Sequence, residues 1–113
     1  MHRGEIWLVN LDPTVGSEIR KTRPAVIISA NAMSKLPLRV VVPVTEWKPR
    51  HDRSPWAVVF EPDATNGLTK KSAADATHVR SVSTRRLVRQ IGALREPALS
   101  AVAAAVAVCI DFP

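Results

Sequence analysis

Short apolar runs, each bounded by proline, glycine or charged residues, recur along the first 94 positions of the chain. β-branched and aromatic residues fill most of these runs, which is typical of β-strands. The pattern predicts strands over residues 4–10, 24–29, 38–45, 56–61 and 87–94, with a weaker strand over 72–79 and one helical turn over 81–86.

Two prolines and a tryptophan add detail to the predicted strands. Pro24 comes first in its run, where a missing N–H does least harm. Pro43 comes late in the next run and predicts a sheet edge, a bulge or the end of that strand. Trp56 opens the fourth run, and as a strand residue it is predicted to face the core.

Two polar segments separate the first strands. Residues 14–22 follow neither a helical nor a strand period, and residues 46–55 are basic and contain two prolines. Both are predicted to be surface loops, the first of them mobile. Residues 62–68 contain Asn66-Gly67 and are predicted to form a turn.

A helical period begins after Pro97, which is predicted to open a helix. Leu99, Val102, Val106 and Ile110 recur at helical spacing on one apolar face. Cys109 lies close to that face and is predicted to be a core residue, although an apolar edge including it would also suit a twofold contact. Short strands followed by one helix predict a small barrel or strongly bent sheet with the helix packed against it.

Composition narrows the possible partners and the compartment. The 113 residues suit one domain over 1–113, and 16 Lys and Arg against 10 Asp and Glu leave a net charge of +6. This excess favours nucleic acid, an anionic membrane surface or an acidic protein. A single cysteine, no signal-peptide pattern and no apolar stretch of about 20 residues predict a soluble cytoplasmic protein without a membrane span.

Several kinds of chemistry lack their sequence signals. The chain has only four glycines and no glycine-rich phosphate loop, no Cys/His cluster at metal-ligand spacing and no nucleophile elbow. RNA cleavage needs none of these, because the substrate's own 2′-hydroxyl is the nucleophile. A proton acceptor, a cation near the phosphate and a proton donor suffice.

Three segments in order, residues 3–18, 22–29 and 40–45, closely resemble the MazF/PemK family of toxin endoribonucleases from bacterial toxin–antitoxin modules. A weaker match continues through residues 78–87 into the C-terminal helix, so the resemblance covers nearly the whole chain. It implies an SH3-like small barrel, mainly β with short helices and a C-terminal helix, that forms a homodimer.

The resemblance also implies an activity. The expected reaction is sequence-specific, metal-independent and cofactor-free cleavage of single-stranded RNA, particularly mRNA. The expected products carry a 2′,3′-cyclic phosphate and a 5′-hydroxyl, and their formation inhibits translation and growth. A labile, acidic MazE-like antitoxin would neutralise the toxin.

The resemblance places the catalytic cation at Arg23, its usual partner at Thr45 and a further implicated carboxylate at Glu18. Arg23 precedes a proline, which keeps its backbone out of the helical region, and its planar guanidinium suits phosphate oxygens. An arginine stays protonated, so it is better suited to stabilise charge than to donate a proton. A plain surface arginine, a strand-end threonine and a solvated loop carboxylate are the alternatives.

This chain departs from the family pattern at two positions. Glu5 stands where aspartate often follows Arg-Gly, and His78 stands where many members carry glutamine. An imidazole suits acid–base work near neutral pH, although an unpartnered histidine is more often structural.

The predicted substrate contacts are mostly cations. Trp47 is the candidate for stacking on an unpaired base. Arg85 and Arg86 form a basic patch with Arg80, and by default such a patch is interpreted as a solvated charged face. The full predicted set is Arg20, Lys21, Trp47, Lys48, Arg50, Arg53, His78, Arg80 and Arg86.

Two other functions stay open at this point. A CcdB-like poison of gyrase would share the barrel and need neither Arg23 nor Thr45. A non-catalytic module for single-stranded RNA would need only charge and stacking. If RNA is cleaved, its sequence preference is expected to depend on the loops at 14–22 and 46–55.

Overall fold

A computed structural model describes the whole chain, Met1–Pro113, as one antiparallel seven-stranded sheet with a C-terminal helix. The elements are β1 (Glu5–Asn10), β2 (Thr22–Ile27), β3 (Leu38–Glu46), β4 (Ala57–Phe60), β5 (Ser72–Asp75), β6 (Arg80–Ser83), β7 (Leu87–Ala93) and α1 (Ala98–Cys109). Short 3-10 turns cover Asn31–Lys35, Pro49–Arg53, Ala76–His78 and Thr84–Arg86. The predicted mainly β fold with short helices and a C-terminal helix is confirmed. No helix is long and apolar enough to cross a membrane.

The strands run in the order β4-β5-β3-β2-β1-β7, and β6 pairs with β3 beside β5. β3 pairs with three strands. One of its edges pairs with β2, and the other edge is shared by β5 and β6. Its first half pairs with β6 and its last three residues pair with β5. This exchange of partners along one long strand lets the sheet bend into a barrel-like shell.

Pro43 lies inside β3, buried, so it marks neither an edge nor the strand's end. Pairing with β6 ends at Val41 and pairing with β5 begins at Val44. Pro43 therefore occupies the gap between the two partners, where a missing N–H removes no ladder hydrogen bond on that side. Pro24 likewise is the third residue of β2, because Thr22 and Arg23 already pair with β1.

Strand alternation sends neighbouring residues into two separate cores. Val26 and Val42 belong to the core on which α1 packs through Val102, whereas Ala25 and Ile27 belong to the core on the other face. The sheet is thus buried on both faces over its central strands, which explains their continuous apolar runs.

Five further local predictions are wrong. Trp56 precedes β4 and is 40% exposed, because the strand begins only at Ala57. Cys109 is exposed, and Ile110 lies beyond the end of α1 and is also exposed.

The other two concern residues 72–86. The predicted strand over 72–79 divides into β5 and the Ala76–His78 turn, and the predicted helical turn over 81–86 begins instead as strand β6. Pairing with β3 imposes the extended form on Arg80–Ser83, leaving only Thr84–Arg86 as a turn.

The predicted turn at 62–68 is confirmed and is tightly bonded. The Asp63 carboxylate accepts the backbone N–H groups of Thr65 (2.8 Å) and Asn66 (2.7 Å). Buried Asn66 accepts the backbone N–H of Leu68 at 3.0 Å and donates to the Glu61 carbonyl at 2.9 Å. The end of this turn forms one wall of a cavity.

Replacing Asp63 by asparagine should reduce stability at neutral pH but not at acid pH. The backbone hydrogen bonds of Asn66 and Thr65 lower the pKa of Asp63 below its ordinary 3.8. A lowered pKa contributes stability above about pH 3.8 that is lost as the pH falls through the folded-state value. The difference in urea midpoint between wild type and Asp63→Asn should therefore shrink below that pH. Asp111→Asn, which removes a carboxylate that accepts no hydrogen bond, should show no such pH-dependent difference.

Candidate active site

Arg23 and Thr45 lie on adjacent antiparallel strands. β2 and β3 pair Ala25 with Pro43, and extending that register by two residues sets Arg23 across from Thr45. Directly opposed residues on one face have Cβ atoms roughly 5 Å apart. Sheet pairing therefore unites two side chains that are 22 positions apart in the sequence (45 minus 23).

Both side chains open into a cavity of about 440 Å³ at the sheet surface. Its walls come from the loop before β2, the end of β3, the Pro49–Arg53 turn and the Ala76–His78 turn. The polar and charged lining residues are Ser17, Glu18, Arg20, Arg23, Thr45, Glu46, Lys48, Arg50, Asp75 and His78. Seven of these were predicted from the sequence, and the fold brings them together.

Arg23 is positioned but not neutralised. It is half-buried, and its Nε donates to the carbonyl of Arg20 at 3.3 Å. No carboxylate lies within ion-pair distance of Arg20, Arg23 or Arg50. The guanidinium of Arg23 is therefore oriented by the backbone while its charge stays available to an anion, and a phosphate is the anion that its planar fork fits.

Glu18 is held by its own loop. One carboxylate oxygen accepts the backbone N–H of Val15 at 2.7 Å, and the backbone N–H of Glu18 donates to the Val15 carbonyl at 3.2 Å. The second carboxylate oxygen accepts no hydrogen bond from the protein. Since Glu18 lines the cavity, this second oxygen remains available for a proton or a substrate hydroxyl.

His78 is the only one of the three histidines that lines this cavity. Its Nε2 lies 3.8 Å from a carboxylate oxygen of Asp75, whose other oxygen accepts the Thr77 backbone N–H at 3.0 Å. The carboxylate is therefore fixed by the turn beside the imidazole. The cavity thus combines the oriented cation Arg23 with two places where protons can be exchanged, Glu18 and the pair of His78 and Asp75.

Comparison with known proteins identifies the family to which this arrangement belongs. The family model of PemK-like, MazF-like toxins of type II toxin–antitoxin systems matches residues 2–110.

The chain belongs to the PemK/MazF toxin family.

Individual relatives agree with this assignment. The endoribonuclease MazF9 of Mycobacterium tuberculosis is 40% identical over 98 residues, covering 81% of this chain and 80% of that protein. Crystalline MazF from Deinococcus radiodurans superimposes with a TM-score of 0.81 at 23% identity, over 98% of this chain and 96% of the other. An endoribonuclease from a mycobacterial species, solved in complex with its cognate antitoxin, gives a TM-score of 0.76 at 18% identity, over 100% of this chain and 97% of the other. The predicted family and the MazF-like fold are confirmed.

Two predicted substrate contacts have structural partners in this PemK/MazF chain. Arg80 donates to the Leu11 carbonyl at 3.2 Å, and Arg86 donates to the carbonyls of Asn10 (3.1 Å) and Asp12. Both guanidinium groups therefore fasten the start of the loop that carries Glu18. Arg80 also lines a smaller cavity that adjoins the main one through Glu18 and His78.

The remaining predicted contacts lie outside the main cavity. Trp47 donates its indole N–H to Asp52 at 2.9 Å, and the Lys71 ammonium sits 4.1 Å from its ring centroid. One ring face is therefore occupied by a cation, so a base cannot stack on that face in this arrangement. Lys21 and Arg53 are exposed beside the cavity without lining it.

Sequence reasoning missed Glu46 and Asp75. Glu46 follows Thr45 directly, and its carboxylate lies 4.0 Å from the Lys48 ammonium and 3.8 Å from that of Lys70. A lone carboxylate in a basic loop carries no chemical signal by itself. Only the pairing of β3 with β5 and the turn after it places these acids beside Arg23.

Proposed function

We propose that this toxin is a metal-independent endoribonuclease that cleaves single-stranded RNA at a short sequence, acting as one domain over residues 1–113. The joint placement of Arg23 and Thr45 in one cavity with the unpaired cations Arg20 and Arg50 carries the proposal. The confirmed family and the endoribonuclease names of its relatives support RNA as the substrate. Cleavage of mRNA would stop translation and growth.

The residues suit attack by a 2′-hydroxyl on its own phosphate. The 2′-oxygen bonds to phosphorus, the bond to the 5′-oxygen breaks, and a 2′,3′-cyclic phosphate and a 5′-hydroxyl result. Arg23 neutralises the charge developing on the non-bridging oxygens, and the Thr45 hydroxyl donates to one of them. Preorganised donors of this kind act most strongly where charge develops in the transition state.

Two proton transfers complete the reaction. The free carboxylate oxygen of Glu18 accepts the proton from the 2′-hydroxyl. His78, held beside Asp75, binds the substrate and can return a proton to the departing 5′-oxygen. Arg20, Lys48 and Arg50 hold the neighbouring phosphates, which positions the chain for in-line attack.

Partners follow from family and charge. A mycobacterial relative was solved with its cognate antitoxin. We expect an acidic MazE-like antitoxin to bind this chain, because the chain's net charge of +6 attracts polyanions. We also expect a homodimer, and activity in the cytoplasm where mRNA is found.

The direct test incubates the purified protein with a long mixed-sequence RNA in EDTA and maps the ends of the products. Discrete cuts at one short motif, with 5′-hydroxyl ends, are expected. Intact RNA after exposure to folded protein at several concentrations would contradict the proposal. Binding to gyrase, or RNA binding without cleavage, would then become the hypothesis to measure.

A further inference from the structure

A second cavity, of about 230 Å³, adjoins the active site, and His78 does not line it. Arg23, Thr45 and Glu46 line both cavities, so the two spaces meet at the catalytic cation. None of the other residues in this second space was predicted from the sequence to take part in function. A strand of RNA with its phosphate at Arg23 would therefore lie next to this space on one side of the cut.

The floor of the cavity is a single row across the sheet. Leu8 pairs with Arg89 of β7 on one side and with Pro24 of β2 on the other. Cross-strand neighbours such as these point to the same face. The row gives an apolar base with one exposed arginine at its edge.

The far wall is rigid. It is formed by the end of the 62–68 turn and the residues that follow it. Leu68 there is 8% exposed, and Lys70 is open to solvent. The turn is pressed against β7 so closely that a Cβ on Gly67 would lie 1.9 Å from the Ile91 carbonyl oxygen, and Ile91 also lines the cavity. The backbone N–H of Ala93 donates to the Thr65 carbonyl at 2.9 Å. Such close packing preorganises the space.

The chemistry of this space fits one unpaired nucleotide. Leu8, Leu68 and Ile91 offer apolar surfaces to the faces of a base, and Lys70 and Arg89 offer cations to its phosphate. Its volume of about 230 Å³ admits a single base and excludes a duplex. The charge of Glu46 offsets part of that of Lys70 in the free protein.

We propose that this second cavity is the subsite for the base of a nucleotide flanking the scissile phosphate, and that it sets part of the sequence preference. The inference rests on the proposed function and extends it. Thr69, exposed at the rim, and Arg89, at the floor, control entry and retention of the nucleotide. Specificity thus depends on the barrel surface between β7 and the 62–68 turn, in addition to the two basic loops.

The test combines removal of the base with obstruction of the cavity. Short RNAs carry the motif that the wild-type protein selects by binding from a random single-stranded pool, 2′-O-methyl groups that block cleavage, and an abasic ribose at each motif position in turn. Kd is measured for wild type, Thr69→Phe and Arg89→Ala. Ser34→Phe, on the exposed Asn31–Lys35 turn outside every cavity, is the matched control.

Wild type and Ser34→Phe should lose at least about tenfold in affinity when one particular flanking base is removed. Thr69→Phe should bind the intact RNA about as weakly as wild type binds that abasic RNA. Removing the same base should then lower the affinity of Thr69→Phe only slightly further. Arg89→Ala should bind all of the RNAs more weakly. Equal costs of base removal in wild type and Thr69→Phe at every position would overturn the subsite. Because the blocked RNAs cannot be cleaved, base-dependent binding without cleavage of the unblocked RNA would contradict the proposed function alone.

Discussion

Arg23→Ala should reduce the rate of RNA cleavage about 10²–10³-fold, the loss typical of removing one preorganised donor to a transition-state oxyanion. Arg23 lines both the active-site cavity and its neighbour, and no carboxylate neutralises it. The one protein hydrogen bond of its side chain is the 3.3 Å contact to the Arg20 carbonyl. The free energy of unfolding should therefore change by no more than about 0.5 kcal/mol.

The measurement is single-turnover cleavage of an RNA carrying the mapped motif, with the circular dichroism melt of each protein beside it. Arg85→Ala removes the same charge from an exposed turn outside the cavities and should cleave at nearly the wild-type rate. Arg23→Lys should recover only part of the activity, because an ammonium lacks the bidentate fork. A fall of less than about tenfold in folded Arg23→Ala would refute the role given to the guanidinium.

Gly67→Ala should destabilise the fold by more than about 3 kcal/mol, since it combines backbone strain with overpacking. Gly67 has a φ of +69°, and a Cβ there would lie 1.9 Å from the Ile91 carbonyl oxygen and 2.6 Å from its carbon. Neither atom belongs to a flexible side chain, so the 62–68 turn would have to separate from β7. The hydrogen bond from Ala93 to Thr65 would break with it.

Gly16 provides the matched comparison. It also has a positive φ, +59°, but a Cβ there meets nothing within 4 Å. Gly16→Ala should therefore cost only the conformational part, about 1–2 kcal/mol. Urea unfolding of both variants gives the two costs, and similar values for Gly16→Ala and Gly67→Ala would show that the close approach to β7 contributes nothing.

The structure also changes the electrostatic description of the site. Three carboxylates, Glu18, Glu46 and Asp75, line the cavity beside the cations. Glu18 is held by the backbone N–H of Val15, and Asp75 is held by the backbone N–H of Thr77. The third lies between Lys48 and Lys70. The site is therefore a patterned array of both signs, which holds an RNA chain in one register better than a uniform basic surface would.

The sequence by itself determined the elements whose cause is local. The apolar runs located β1, β2, β3, β4 and β7, and the helical period after Pro97 located α1. The Asn66-Gly67 turn followed from its residue types. The resemblance at residues 3–18, 22–29 and 40–45 also identified the family and selected Arg23, Thr45 and Glu18 as its site residues.

Only the tertiary structure decided which of these residues meet and what each one faces. Strand pairing made β6 extended where local propensity favoured a helical turn, and it left Pro43 in the gap between two partners of β3. Packing sent Arg80 and Arg86 to backbone carbonyls and exposed Trp56 and Cys109. The physical reason is that a hydrogen-bond partner or a buried face is a relation between segments distant in sequence, and no local pattern of residues contains it.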